Sequence, residues 1–380
     1  SKIFITNGGA PVHLVLARDG ATYDKSKGTT NGLCLMLCPV VLPDGTKNPV
    51  RVSRVETKMG IHGSPTCAIE FDHAEGFLLG ERGNGFRAML DLMNAARLGV
   101  SAQAIGIAEA AYGDALQYAG ERVQFGAPIL NQPLVKKMLA VSAMDVAAAR
   151  ALLYTTCGLF DQTEAMATYL ASGRDESDVD RVAIQEEHDR NQQLIRFFTP
   201  LCKYYATEVA NEVTRRAIQV HGGVGYMAES VAGHLHNDSI ITTIYEGTSE
   251  IQASFALREM SKGALFTALD RTRAELGVLK ARFPEEVDLI HGGIDALHQS
   301  LPALMVDPNY ALLNAKRVCD MVIFVVASAE LLFQADHSED RINVASSYIR
   351  RQMLEVEMNA RFIQAGDSSH LKRYDKILGL

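Results

Sequence analysis

The sequence lacks the features that mark several classes of protein. Its 380 residues contain no tryptophan, 11 prolines and only six cysteines. These scattered cysteines exclude a disulfide scaffold, and a composition of 47% apolar and 22% charged residues excludes a disordered or collagen-like chain. Because low cysteine density is typical of a reducing compartment, we expect buried free thiols in a cytoplasmic protein.

The sequence also lacks signals for metal, membrane and nucleic-acid binding. Cys34 and Cys38 are followed by no second pair of ligands, so we predict no metal site. The most apolar run, Met321 to Phe333, is shorter than the ~20 residues that cross a bilayer, so we expect a buried helix and no membrane span. The net charge of −8 argues against nucleic acid as the main partner.

Strand signals come first along the chain, and helical periodicity follows. Short apolar runs within residues 1–75 are separated by turn signals, of which Asp44 and Gly45 predict a hairpin. From about residue 84 onward, apolar residues recur every three or four positions. This order predicts an α+β fold of several domains. Helices are expected at about 84–120, 134–160, 193–220 and 248–259.

Two features interrupt the helical pattern. The polar and acidic stretch at 161–192 is expected as an exposed connection. Beyond residue 260, breaks between helices are expected near the prolines Pro284, Pro302 and Pro308.

The most informative segment is IYEGTSEIQ, at residues 244–252. Ser249 and Gln252 fit a capping box, so Ser249 is the predicted N-cap of a helix. A helix start offers free N–H groups and a positive dipole end, and Glu246 comes just before it, beside a glycine. Alone, the segment fits either a capping turn with an exposed glutamate or a functional site.

Two other segments allow the same pair of interpretations. QVHGGVGY, at 219–226, is either a helix stop or a backbone concavity that accepts a cofactor. In RVQFGAP, at 122–128, the arginine and phenylalanine either hold a phosphate and a ring edge or lie at the surface beside a capped helix.

Taken together, these segments resemble the acyl-CoA dehydrogenase family over nearly all of residues 1–260. The similar segments, in chain order, are KIFITNG, KMGIHGSPTCAIEF, LLGERGNGF, AARLGVSAQAIGIAEAAYGDALQYAGERVQFGAPI, QVHGGVGYMAES and ITTIYEGTSEIQ. Their order and spacing make the resemblance specific. The long continuation beyond Gln252 is similar to the larger bacterial branch of that family.

The resemblance implies three domains. Residues 1–75 would form the second part of the middle β-domain, a partial, barrel-like domain. Residues 76–260 would form the C-terminal four-helix bundle, with the polar stretch 161–192 as an insertion, and residues 261–380 an extra helical extension.

The resemblance also implies an activity. The family binds FAD and converts an acyl-CoA to a trans-2-enoyl-CoA, with one hydrogen leaving as a proton and the other as a hydride to flavin N5. Glu246 would be the base that takes the α-proton, because the family's alternative base position, before Arg97, holds Ala96. The implied substrate contacts are Asn94, Arg97, Tyr245 and Gly247.

The FAD contacts come from the same resemblance. Phe4, Ile5 and Thr6 would lie along the flavin, with Phe4 where tryptophan is usual. Some of the other contacts would come from a neighbouring subunit, so we expect a homodimer or homotetramer, with an electron-transfer flavoprotein as acceptor. The other implied contacts are Arg122, Phe125, Gln132, Gln219, Val220, His221, Gly222, Gly223, Thr248, Ser249 and Glu250.

Two alternatives remain open at this stage: an acyl-CoA oxidase, which passes electrons to O₂, and a helical assembly module without catalysis. The chain has no initiator methionine and opens on SKIFITNG, which is similar to the middle of the family's β-domain. We therefore expect a fragment that binds FAD poorly and is inactive alone.

Overall fold

Strands fill the first part of the chain. The computed structural model describes residues 1–172 and 178–380, and it divides into two units, Ser1–Ala96 and Arg97–Leu380. The strands of the first unit are β1 (Lys2–Thr6), β2 (Val12–Arg18), β3 (Leu33–Pro39), β4 (Val50–Val55), β5 (Thr66–Phe71) and β6 (Phe77–Leu79). A short helix, α1 (Tyr23–Ser26), lies between β2 and β3.

These strands form two antiparallel three-stranded sheets, in the orders β1-β5-β4 and β2-β3-β6. The described strands do not close into a barrel, which agrees with the expected α+β fold and partial β-domain. Because β6 pairs with β3, the strand-rich part continues beyond residue 75.

The predicted hairpin turn is confirmed. Gly45 has φ +86°, a conformation that glycine adopts without steric cost. Its N–H donates to the Leu42 carbonyl at 2.9 Å, and Val41 and Lys47 form an antiparallel bridge across the turn.

Helices make up the rest of the chain, apart from a hairpin of β7 (Val123–Gln124) and β8 (Ala127–Pro128). The described helices are α2 (Gly85–Glu121), α3 (Pro133–Ala171), α4 (Asp178–His221), α5 (Val231–Ile240), α6 (Ser249–Met260), α7 (Ala264–Leu276), α8 (Pro284–Leu304), α9 (Pro308–Leu313), α10 (Ala315–His337), α11 (Ile342–Gln364), α12 (Ser369–Lys372) and α13 (Tyr374–Leu378). The four helices predicted before residue 260 are confirmed as α2, α3, α4 and α6.

The prediction of an exposed connection at 161–192 is wrong for most of that stretch. Helix α3 continues to Ala171 and α4 begins at Asp178, while 173–177 lie outside the described residues. In the described part of α4, exposed charges pair along the helix, as Arg190 does with Glu187 three residues earlier. A polar and charged sequence is therefore compatible with helix here, and polarity alone does not predict where α3 and α4 end.

The three prolines after residue 260 behave differently from one another. Pro284 and Pro308 stand at the first positions of α8 and α9, where a helix needs no N–H donor, so these two breaks are confirmed. Pro302 lies inside α8, and the break expected near it comes two residues later, after Leu304. In the last turn of a helix the ring removes one hydrogen bond without ending the helix earlier.

The core of the second unit surrounds α10. The run Met321 to Phe333 lies inside α10, and its side chains at Val322, Ile323 and Leu332 are fully buried, which confirms the predicted buried helix. By length and composition alone, α3 and α10 could each cross a membrane, but 72% of the apolar window of α10 and 50% of that of α3 are buried within the fold. Five of the six cysteines are buried free thiols and Cys157 is half-buried.

Candidate active site

Glu246 lies on a short loop that joins the 3₁₀ turn Ile241–Thr243 to α6. Glu246 has φ +55° and Gly247 has φ +99°, so two successive residues adopt the left-handed conformation. For a residue with a side chain this conformation costs about 1–3 kcal/mol, and it persists only where the surroundings hold it. Such strain concentrates at functional sites.

The helix after the loop is capped by a different residue from the one predicted. Thr248 is the N-cap of α6 and its hydroxyl accepts a hydrogen bond from the Ile251 N–H at 3.4 Å, so the prediction of Ser249 is wrong by one residue. The Ser249 hydroxyl donates instead to the Glu208 carboxylate at 2.5 Å. A hydroxyl bonded to a carboxylate is stabilised by the acceptor's charge, which explains why Ser249 is not used as the cap.

Three buried side chains donate hydrogen bonds to the loop backbone. Gln252 donates its amide to the carbonyls of Glu246 and Gly247, at 2.9 and 3.2 Å. Lys203 donates Nζ to the Gly247 carbonyl at 2.7 Å, and Arg97 donates Nε to the Glu246 carbonyl at 3.4 Å. Relative exposure is 0% for Gln252 and Lys203 and 4% for Arg97. These donors, from α2, α4 and α6, restrain the strained backbone.

The Glu246 carboxylate has an unusual environment. Its Oε2 atom is buried and has no hydrogen-bond partner among residues 1–172 and 178–380. A buried polar atom without a partner costs free energy, so it needs a reason to be there. Two cations lie close to this carboxylate: the Glu246 charge acts on both Arg97 and Lys203.

Burial shifts the pKa of the cations around Glu246. It lowers the pKa of Arg97, while the Glu246 charge acts in the opposite direction. Burial also lowers the pKa of Lys203 to about 8, with the Arg97 charge adding to the effect and Glu208, Glu246 and Glu250 opposing it. With a pKa of about 8, Lys203 is charged near neutral pH.

The predicted substrate contacts divide between the two units. Arg97, Tyr245 and Gly247 lie with Glu246 in the second unit, and the Tyr245 hydroxyl donates to Gln103 on α2. Burial raises the Tyr245 pKa, and the Glu246 charge raises it further. Asn94 belongs to the first unit, so its role stays a prediction.

The predicted glycine turn at the end of α4 is confirmed as a helix stop. Helix α4 ends at His221, and Gly222 has φ +63° at the start of the 3₁₀ turn Gly222–Tyr226. Gly222 and Gly223 are exposed, and an added Cβ at either would meet nothing within 4 Å. The turn therefore leaves its backbone open to a ligand.

His221 faces the helices rather than solvent. Its ring stacks on Tyr118 at 4.3 Å between centroids, and its Nε2 lies 3.3 Å from an oxygen of Asp114. The Val220 side chain is buried as well, whereas Gln219 is exposed. Contacts from Val220 and His221 to a cofactor would thus come from backbone atoms.

The loop after α2 presents an exposed aromatic ring. Phe125 has φ +56° and 91% of its surface is exposed. Arg122 on the same loop is exposed too, and Gln132 directly precedes the first residue of α3, Pro133. An arginine and an accessible ring on one loop suit a phosphate and an aromatic group, so the role of this loop in binding FAD stays a prediction.

The predicted flavin-facing strand lies in the first unit. Phe4 is 69% exposed with φ +58°, and the pairing of β1 with β5 shifts register between Lys2 and Ile5. Thr6 is exposed, and Ile5 is half-buried. The role of these residues stays a prediction.

The sequence analysis did not identify Lys203 or Gln103 as part of the site. It identified Gln252 only as part of a capping box and not as a hydrogen-bond donor to the loop. Lys203 sits in LCKYYA, among residues that the helical pattern assigns to the core. A lysine on the apolar face of a predicted helix is rarely buried without a partner, and that signal could have identified it.

The segment that contains this loop matches a known protein family. The family described as "Acyl-CoA dehydrogenase, C-terminal domain" matches residues 83–261, which include Glu246 and all three donors. The chain is 31% identical to 3-methylmercaptopropionyl-CoA dehydrogenase from Ruegeria pomeroyi over 97% of its own length. The chain belongs to the acyl-CoA dehydrogenase family.

Solved structures of acyl-CoA dehydrogenases share the fold. Caenorhabditis elegans ACDH-11 in complex with C11-CoA matches 97% of the chain with a TM-score of 0.78 at 23% identity. An acyl-CoA dehydrogenase from Bacillus anthracis complexed with FAD matches 98% with a TM-score of 0.74 at 22% identity. The chain spans 66% of the Ruegeria relative and 61% and 64% of these two structures.

Proposed function

We propose that the complete protein oxidises an acyl-CoA thioester to a trans-2-enoyl-CoA, with Glu246 as the base that takes the α-proton. The observation that carries this proposal is the buried Glu246 Oε2 atom, which has no hydrogen-bond partner among the described residues. An unpartnered carboxylate oxygen keeps its lone pairs available for a proton, and a general base must have this property.

The neighbouring residues support the same role. Arg97 and Lys203 donate to the backbone carbonyls of Glu246 and Gly247, so they hold the loop that carries the base. The left-handed loop directs the chain through Glu246 into the start of α6. From that position the Glu246 N–H would donate to the thioester carbonyl oxygen and stabilise the negative charge that develops there.

The residues present also fit a dinucleotide cofactor. The open glycine backbone at 222–223, the exposed Arg122 and the exposed Phe125 ring provide N–H donors, a cation and a stacking surface. These residues would hold FAD, which the Bacillus anthracis protein contains. When bound, FAD supplies the hydride acceptor for the β-carbon.

The C. elegans protein is complexed with C11-CoA and the Ruegeria relative is named for an acyl-CoA, which supports an acyl-CoA substrate here. We further propose a homodimer or homotetramer in the cytoplasm that passes electrons to an electron-transfer flavoprotein. The exposed Phe125 ring, which a second subunit would cover, supports the oligomer.

The base assignment is tested by Glu246→Gln in the complete, FAD-loaded protein. Under anaerobic conditions an acyl-CoA should bleach the flavin of the wild type, and the variant should do so about 10²–10⁴-fold more slowly. Glu164→Gln, the same change on the exposed side of α3, should match the wild type. Normal flavin reduction in Glu246→Gln would refute the assignment, and peroxide release during aerobic turnover would indicate an oxidase.

A further inference from the structure

The Glu246–Gly247 loop receives a hydrogen bond from an amine that is entirely enclosed by the protein. Lys203 projects from the middle of α4, has 0% exposure, and places Nζ 2.7 Å from the Gly247 carbonyl oxygen. Gly247 is the second of the two left-handed residues. The amine thus contacts the strained part of the loop directly and, among residues 1–172 and 178–380, donates to no other group.

We propose that Lys203 is a positioning residue, which holds the Glu246–Gly247 loop in its left-handed conformation by donating to the Gly247 carbonyl. The proposal deepens the function proposed for Glu246 and rests on it for its catalytic consequence. Its structural content, the restraint of the loop, does not depend on that function.

Packing alone does not explain a lysine at this position. A buried amine carries a desolvation penalty, and burial is the main reason that the pKa of Lys203 falls to about 8. A methionine would fill similar space without that penalty. The neighbouring Gln252 amide already donates to the same carbonyl at 3.2 Å, so Lys203 adds a second, charged donor where one neutral donor exists.

The charged groups that act on Lys203 come from several elements. Arg97 on α2 repels the ammonium group, whereas Glu208 on α4 and Glu250 on α6 attract it. Glu246 itself also attracts it. Lys316 on α10 lies 3.6 Å from Glu250 and 3.9 Å from Glu208, so it reduces the attraction from both. Lys203 is therefore charged near neutral pH but loses its charge as pH rises through about 8, and its hydrogen bond should weaken over that range.

The restraint is tested by hydrogen exchange in the full 380-residue chain without ligands. Lys203→Met should speed the exchange of the backbone amides at 244–250 about tenfold or more, which is the expected effect of losing a charge-assisted hydrogen bond. The amides of α8 and α11 should be unchanged. Lys137→Met, at an exposed position on α3, serves as the matched control and should leave 244–250 as in the wild type.

A second variant and a pH series distinguish loss of the Lys203 hydrogen bond from a general loosening of the fold. Lys203→Gln keeps a donor without the charge and should give an intermediate effect. In the wild type, the protection of 244–250, corrected for intrinsic exchange, should fall between pH 7 and 9, and this fall should be absent from both variants. Wild-type protection that does not change with pH, or loop exchange equal to wild type in either folded variant, would overturn the proposal.

The complete enzyme separates this inference from the proposed function. There Lys203→Met should lower kcat with little change in KM, and it should remove a loss of wild-type kcat above about pH 8. If the exchange results hold but wild-type protein bleaches no flavin with any acyl-CoA, the proposed function fails and the restraint stands. If turnover is normal but loop exchange is unaffected by the variant, the restraint fails alone.

Discussion

Glycine at 247 meets two demands at once. Its φ of +99° suits a residue without a side chain, and an added Cβ would lie 2.5 Å from the Gln252 side-chain nitrogen. That nitrogen is one of the donors to the loop, so it cannot move away without losing its own hydrogen bonds. A side chain at 247 is therefore excluded by backbone conformation and by space together.

We predict that Gly247→Ala lowers the free energy of unfolding by about 1–2 kcal/mol, the cost of placing a Cβ in the left-handed region. Gly158→Ala is the matched control, because this glycine lies inside α3 with nothing within 4 Å of an added Cβ. Alanine is the better helix former by about 0.5–1 kcal/mol, so this control should be stabilised. Urea unfolding at unchanged m-value measures the free energy of unfolding of both variants. Equal changes in the two variants would contradict a specific cost of a side chain at position 247.

At the scale of elements, periodicity predicted the helices and their order, and motif order predicted the loop that carries Glu246. Two features could not be read in the same way. The N-cap at Thr248 depends on the Glu208 carboxylate, 41 residues before Ser249, which takes the Ser249 hydroxyl. The contact of Lys203 with Gly247 spans 44 residues. Local sequence cannot show which distant helix supplies a partner.

A buried carboxylate joins three helices. Asp145 on α3 is 6% exposed and accepts hydrogen bonds from Arg216 on α4 and Arg351 on α11, both at 2.9 Å. Its two oxygens are therefore each occupied by a guanidinium from a different helix. This arrangement ties the C-terminal helices to the bundle.

We predict that Asp145→Asn lowers the free energy of unfolding by about 2–3 kcal/mol, because two arginines lose their counter-charge. The value is below that of a fully buried pair, since the Arg351 side chain is 37% exposed and solvent screens it. Asp161→Asn, at an exposed position on α3, is the control and should change stability by less than about 0.5 kcal/mol. A urea midpoint for Asp145→Asn that equals the control would show that the pairs do not stabilise the fold.

For the molecule as a whole, the buried charges on α4 and α10 determine part of its response to pH. Burial raises the pKa of Asp320 on α10 to about 6 from its ordinary value of 3.8, although a hydrogen bond from Tyr204 opposes the shift. The folded state therefore binds more protons than the unfolded state between these values. The contribution of Asp320 to stability is present below pH 3.8 and is lost as pH rises through 6.

We predict that Asp320→Asn removes this dependence. The difference in unfolding free energy between variant and wild type should grow in favour of the variant from pH 4 to pH 7, because the variant buries no charge. Thermal or urea unfolding across that range measures the difference, and the Asp161→Asn protein again provides the reference. A difference that stays constant with pH would mean that Asp320 titrates in the folded protein as it does in the unfolded chain.

Hydrogen bonds from α4 to α10 and to α11 determine whether the C-terminal segment could be exchanged between relatives. The family match ends at residue 261, yet Tyr348 on α11 shares a hydrogen bond of 2.9 Å with Tyr205, and Tyr204 donates to Asp320 at 2.8 Å. Each pair has one member inside the matched segment and one beyond it. A chimera that took its last 119 residues (380 − 261) from another relative would have to exchange both members of each pair together, so this segment is not a freely transferable module.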